Sequence, residues 1–189
     1  MKLNRIRTLC RARNHAELYQ RRDGKQFLSD GCGIWPVDEK LKLNEAAIQA
    51  IFDVPRDKWE SGWYYQEFDY ACDPDAETKG LPECLLEDVW AEGSETELKR
   101  TGARALIGCA EMWMFATQDD RRHIWVSAAQ LAACPDRIRL YALREAPGGR
   151  RALAIYDDFF CGGLVLINGP GYQREIQETL RELSQREVM

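Results

Sequence analysis

The chain has 189 residues, 45% apolar, 30% charged and 10% aromatic. That is the make-up of a folded chain with enough apolar surface for its own core, and it excludes a disordered or low-complexity protein. Net charge is −5, and no stretch approaches the about 18–20 uninterrupted apolar residues of a membrane-spanning helix.

Residues 3–13 predict a short helix, because Leu3, Ile6 and Cys10, with Leu9 beside them, recur at helical spacing. A hairpin follows from Ala16–Gln20 to Gln26–Ser29. Asp23-Gly24, taken as a two-residue turn, sets Tyr19 opposite Leu28 and Gln20 opposite Phe27. The chain bends at Gly31-Cys32-Gly33 and leaves through Ile34-Trp35-Pro36. Asn44 is a good N-cap for a helix carrying Ile48, Ile51 and Phe52, with Leu43 and Ile48 placed as a hydrophobic staple and Pro55 as the stop. Residues 62–68 read as a strand.

From 69 to 97 the sequence is acidic and broken by Pro74, Gly80, Pro82 and Gly93. It is expected to be an irregular surface excursion pinned by Leu85, Leu86, Val89 and Trp90. Beyond it the chain is strand-rich: 103–109, 112–117, 123–126, 137–144, 151–157 and 159–167. One short helix interrupts these strands after Val126, signalled by a Ser127/Gln130 capping box and closed by Pro135. A final helix with the stripe Tyr172, Ile176, Leu180, Leu183 follows Gly169-Pro170-Gly171. The expected architecture is a single α+β domain over 1–189. It has a mixed or mainly antiparallel sheet, a helix–hairpin unit in front and a C-terminal helix.

Charge is unevenly spread. Residues 1–25 hold eight Lys or Arg against Glu17 and Asp23, while residues 53–97 hold fourteen acids against Arg56, Lys58 and Lys79. The two segments can attract each other within the fold or offer opposite faces to partners, with two solvated surfaces as the ordinary reading. Seven cysteines with two histidines include no close pair, so zinc-finger and C-x-x-C chemistry is excluded and no metal or organic cofactor is expected. With no apolar leader core after the charged start, a cytoplasmic location with reduced thiols is expected.

The order Phe27-Leu28-Ser29-Asp30-Gly31, Ile34-Trp35-Pro36-Val37 and Ile51-Phe52-Asp53-Val54-Pro55 resembles an uncharacterised family of short proteins. Its members are carried by phages and other mobile elements of gut anaerobes. In that pattern an aromatic residue precedes a Ser-Asp/Asn-Gly turn, an aromatic-Pro-Leu follows, and a helix ends in Phe-Asp-Ile. Here Phe27 stands for the usual tryptophan and Val37 for the leucine. The resemblance implies a mobile-element accessory protein and brings no catalytic residues with it.

Cys32, between two glycines at a bend, is the one candidate nucleophile, with His15 or His123 as its base. Against it stands the ordinary role of free cysteine as a small buried hydrophobe. Cys161-Gly162-Gly163 reads as a bulge or close sheet packing, and Asp119-Asp120 and Asp157-Asp158 as turn residues. Arg5, Arg7, Arg11 and Arg13 form a candidate anion-binding set on the first helix, with Tyr19 and Phe27 as stacking rings. Trp59, Trp63 and Tyr64, if outside, suit a protein interface.

The first functional reading is a non-enzymatic protein that binds a host macromolecule, as an inhibitor of host defence or a regulator. Its partner is expected to be a protein. A binder of a small anionic ligand such as a nucleotide is the alternative, a Cys-dependent enzyme the second alternative, and nucleic acid ranks behind a protein partner. No membrane partner is expected.

Overall fold

Every described strand belongs to one ten-stranded sheet. The computed structural model describes residues 2–53, 62–88, 95–107, 109–134, 136–138, 140–146, 149–157, 161–167 and 178. The expected C-terminal helix lies outside them, Glu178 excepted. In chain order the elements are α1 (Leu3–Arg13), β1 (His15–Gln20), β2 (Gln26–Ser29), β3 (Gly33–Pro36), α2 (Glu45–Phe52), β4 (Tyr64–Asp69) and α3 (Ala76–Lys79). A 3-10 turn (Glu83–Leu86) precedes β5 (Glu95–Ile107), β6 (Ala110–Thr117), β7 (His123–Ser127), α4 (Ala128–Leu131), β8 (Leu140–Glu145), β9 (Arg151–Tyr156) and β10 (Cys161–Leu166). The class is α+β with a mixed, mainly antiparallel sheet, in the order β4-β1-β2-β3-β10-β9-β8-β5-β6-β7. Among the described strands the parallel pairing is that of β1 with β4, from His15↔Tyr64 to Gln20↔Asp69.

The first hairpin forms, but one residue out of the expected register: Tyr19 pairs with Phe27 and Leu18 with Leu28. Arg21 N–H donates to Lys25 O and Gly24 N–H to Arg21 O, with Gly24 at φ +83°. The loop is therefore a type I turn closed by a left-handed glycine, one residue longer than a two-residue turn, and that residue shifts the ladder. The two helices expected from local signals form as read. Ile6 and Cys10 are the buried face of α1. Asn44 caps α2 by accepting from Ala47 N–H, and Ile48 and Phe52 are buried.

The sheet has a core on each face, following the two-residue alternation of its strands. Leu153 and Ile155 of β9 point to the face that holds α1, α2 and α4, together with Leu18, Trp35, Leu98, Phe115 and Val126. Ala152 and Ala154 point to the other face, which the acidic segment covers. The described part of that segment is pinned to this face by Leu85 and Leu86, as expected. It makes a helical turn at Ala76–Lys79 and a 3-10 turn at Glu83–Leu86, and Glu95 already begins β5. It buries Tyr70, Ala76, Leu81, Leu85 and Leu86 against Tyr19, Phe27, Phe68 and Leu164. The Tyr19 ring stacks on Phe68 at 4.7 Å, and Tyr70 donates its hydroxyl to Leu81 O at 2.6 Å. Val89 and Trp90 lie outside the described residues.

Its acids account for much of the basic front of the chain. Asp88 meets Arg21 at 3.5 Å and Lys25 at 2.5 Å, and Glu83 meets Arg22 at 3.2 Å. The two oppositely charged segments thus join each other. Arg144, a β8 residue with 0% exposure, fastens the same segment from within. It donates to the carbonyls of Leu85 and Glu87, both at 2.7 Å, and to Glu95 at 2.6 Å.

Two irregularities shape the far half of the sheet. The register of β5 against β6 shifts between Arg100 and Arg104. There Thr101 Oγ1 donates to Met114 O and accepts from Ala103 N–H, taking over ladder bonds the backbone cannot make. A second shift, between Cys161 and Gly163, is the bulge expected from that glycine pair. Among the described residues no helix is long and apolar enough to cross a membrane.

Candidate functional site

The turn from Ser29 to Gly33 joins β2 to β3 and gathers side chains from four other elements. Asp30 sits in it at 1% exposure. Its Oδ1 accepts from the backbone N–H of Cys32 (3.0 Å) and of Gly33 (2.7 Å). Its Oδ2 accepts from Gln130 Nε2 of α4 at 3.1 Å and forms an ion pair with Arg13 Nε of α1, also at 3.1 Å. Three hydrogen bonds and one ion pair engage the carboxylate, so Asp30 ties two helices to the turn.

Beside it, Glu17 of β1 holds a second group. Tyr19 Oη (2.8 Å) and Ser29 Oγ (3.1 Å) both donate to Oε2, and His15 Nε2 stands 3.0 Å from Oε1. Tyr64 of β4 stacks on the His15 ring at 4.6 Å. Serine, histidine and a carboxylate are together, but in the wrong order for nucleophilic catalysis. A hydroxyl is activated by an imidazole with the carboxylate behind that ring; here the carboxylate stands between the two, and Ser29 is fully buried.

Cys32 is half-buried, and its thiol is pushed above its ordinary value. Burial is the chief cause; the Arg13 guanidinium lowers it, while Asp30 and Glu17 raise it further. Reactive cysteines need the opposite surroundings. The neighbouring glycines have other duties. At Gly31 (φ +82°) a Cβ would touch the His15 ring at 3.0 Å, and at Gly33 it would lie 2.3 Å from the buried Trp35 ring. His123 opens β7, at the edge of the sheet. Cys10, Cys134 and Cys161 are buried and Cys72 and Cys109 exposed, and burial pushes the Cys134 thiol up to about 12. In a timed iodoacetamide reaction read by peptide mass spectrometry, Cys109 should label first, Cys72 next (Asp69 raises its thiol) and Cys32 well behind. A Cys32 adduct ahead of Cys109 would restore the nucleophile reading.

Of the arginine set, Arg13 is bound to Asp30. Arg5 and Arg11 are exposed and Arg7 half-buried. Arg7 and Arg11, one helical turn apart, form a shallow polar surface with Asn4 and Thr8. Among the described residues none of these three arginines has a carboxylate within ion-pair distance, whereas Lys2, Arg13, Arg21, Arg22 and Lys25 all do. The expected stacking rings are not available: Tyr19 is 2% and Phe27 3% exposed. Trp63 packs on Phe52 at 5.8 Å as part of the core margin, while Tyr64 remains exposed. Trp59 lies outside the described residues.

Sequence reasoning missed Glu17, Asp30 and Gln130. Asp30 was within reach, since Ser-Asp-Gly is a signal for a side-chain-capped turn. Gln130 was not: its distinguishing contact is one hundred residues away. It is buried and bonded to Asp30, and Ser127 makes no side-chain cap, so the expected capping box does not form. Among the described residues no group of three or more metal-ligating side chains comes together. No protein-family model, curated protein or solved structure matches the chain, and the residues around Asp30 and along α1 are identified by geometry alone.

Proposed function

We propose that the protein acts by binding a macromolecular partner through the outer face of α1, and that this partner offers acidic groups. One observation carries the reading. The basic front of the chain is largely neutralised within the fold, yet Arg5, Arg7 and Arg11 are left without carboxylates among the described residues. Unneutralised arginines on one helix steer an anionic partner and reject a basic one. The surface is open rather than concave, which suits a macromolecule better than a small ligand. A protein partner fits better than nucleic acid, because the net charge of −5 opposes approach to a polyanion. The resemblance to mobile-element proteins supports a host protein as that partner, with the chain as an inhibitor of host defence or a regulator.

The test is quantitative capture from host lysate by the wild-type protein and by an Arg7→Glu/Arg11→Glu variant, beside a nucleotide thermal-shift panel. An acidic partner should be retained by the wild type, weaken with salt, and bind the variant at least about tenfold less tightly, or ~1.4 kcal/mol. Asp88 and Glu83 are occupied internally, so charge reversal there would disturb the fold and is the poorer probe. Stabilisation by one nucleotide, abolished in the variant and with no protein captured, would replace this reading with the small-ligand one.

A further inference from the structure

The β5–β6 hairpin outruns the sheet that carries it. β5 is 13 residues long, but β8 pairs with it only from Glu95 to Leu98, and β7 joins β6 only from Met112 to Ala116. From Lys99 to Ile107 the β8 side of β5 therefore has no ladder partner among the described residues. The outer part of this arm, Arg104–Ile107, keeps regular register with β6, beyond the shift that follows Arg100. Unpaired backbone groups along a regular strand are a template for a further strand.

The end strands of the sheet carry the ordinary protections against such pairing. β4 holds Glu67 and Asp69, and β7 is 5 residues long. The β5 arm lacks them. From Thr101 to Ile107 it has no acid and no proline, and Arg104 is its one charge. Leu106 is 74% exposed, the most exposed large apolar side chain among the described residues. On the face opposite Leu106, Ala103, Ala105 and Ile107 pack half-buried beside Met112, Met114 and Trp125. The apolar stripe of this small cluster thus runs up to the open edge.

The strand that complements this edge is its own copy. Turned about a two-fold axis at Ala105, it pairs antiparallel with itself: Ala105 meets Ala105, Ala103 meets Ile107, and Arg104 meets Leu106. Small then faces large along the apolar stripe, and the two clusters become continuous across the axis. On the other face, each Leu106 is covered by the aliphatic stem of Arg104 from the second copy. The charge of Arg104 is not needed for this, and it stays with its own Glu111, 3.6 Å away. The register is selective. An axis at Arg104 would set two guanidiniums directly opposite each other. One at Leu106 would carry Arg104 past the end of the strand, and one at Ala103 would run the pairing into the Arg100–Arg104 irregularity.

We infer that the protein self-associates through this edge, as a two-fold dimer in which the β5 strands of two copies pair antiparallel about Ala105. The arm shares no residue with the Asn4–Arg7–Thr8–Arg11 surface, so the dimer and the α1 reading stand or fall separately.

Sedimentation velocity over a concentration series of the full chain reads the association, with wild type beside Leu106→Lys. Leu106 lies outside the core, so lysine alters the edge alone, and urea midpoints verify that the variant is folded. The register is read by copper-catalysed oxidation of Ala105→Cys and Gly102→Cys, each in a Cys72→Ser/Cys109→Ser background that removes the two exposed thiols. A side chain at Gly102 meets open space, and about the inferred axis the two 102 positions lie about 20 Å apart. The wild type should pass from monomer to dimer below about 100 μM, and Leu106→Lys should weaken the dimer at least about tenfold. Ala105→Cys should give a disulfide-linked dimer where Gly102→Cys does not. A chain that stays monomeric, or a dimer indifferent to Leu106→Lys, would overturn the inference. So would failure of Ala105→Cys to cross-link, or cross-linking of Gly102→Cys at the same rate.

Discussion

Replacing Arg144 with alanine is expected to lower stability by about 3–5 kcal/mol, the cost of breaking a buried, hydrogen-bonded charge pair from one side. The guanidinium is fully buried, and besides Glu95 and the carbonyls of Leu85 and Glu87 it donates to Tyr156 Oη at 2.7 Å. Alanine would strand the Leu85 and Glu87 carbonyls, leave Glu95 with the Tyr156 hydroxyl in place of its counter-charge, and loosen the segment that covers the second core. Urea unfolding should show the loss in the midpoint, and hydrogen exchange should show residues 81–88 opening more than the central strands. An Arg144→Met/Glu95→Gln double variant removes both charges and should be more stable than the sum of its single variants implies. A loss below about 1 kcal/mol for Arg144→Ala would mean that water already reaches the guanidinium.

The second large effect is expected at Asp30. Alanine there deprives the Cys32 and Gly33 N–H groups and Gln130 Nε2 of their acceptor and leaves Arg13 without its counter-charge. The expected cost is about 3 kcal/mol, at the low end of that for Arg144 because Arg13 can turn to solvent. The Asp30→Asn variant keeps an oxygen for the turn but sets an NH2 group against Gln130 or Arg13, so it should recover only part of the loss. Circular dichroism melts of both variants, beside Cys32 labelling rates, provide the check. Stability should fall and labelling of Cys32 should accelerate together, since one carboxylate organises both the turn and its link to α1 and α4. Faster labelling at unchanged stability would instead mean that the turn opens independently of the helices.

What the sequence made legible was local. The buried stripe of α1, the Asn44 cap of α2 and the bulge at Cys161–Gly163 each depend on residues a few positions apart, and each forms. The hairpin register failed by one residue, because Asp23-Gly24 fits two turns that differ only in whether glycine closes the loop or lies at its centre. The Ser127/Gln130 pair failed for a different reason. A capping bond is worth about 1 kcal/mol, and a buried amide joined to a buried carboxylate outweighs it, but only once β2, β3 and α4 have met. Cys32 drew notice through its flanking glycines, whose reasons turned out to be the His15 ring and the Trp35 ring. The parallel pairing of β1 with β4 is a contact between distant stretches, which periodicity does not encode, and the attraction between the basic front and the acidic segment was only one of the readings that their composition left open.

The place of β10 has a consequence for how the chain matures. It is the last strand in sequence among the described residues, yet it lies mid-sheet, pairing with β3 on one side and β9 on the other. On the ribosome, β1–β4 and β5–β9 can each zip up while synthesis continues, but they share no ladder until Cys161–Leu166 has emerged. Until then the nascent chain carries two bare strand edges, at β3 and at β9, each offering unpaired backbone groups to any passing strand. Closure is a late, long-range event, of the kind that slows folding and invites chaperone attention. A released chain truncated before residue 161 would therefore be the aggregation-prone form, whereas one truncated just past Leu166 would carry β10 and could close the described sheet.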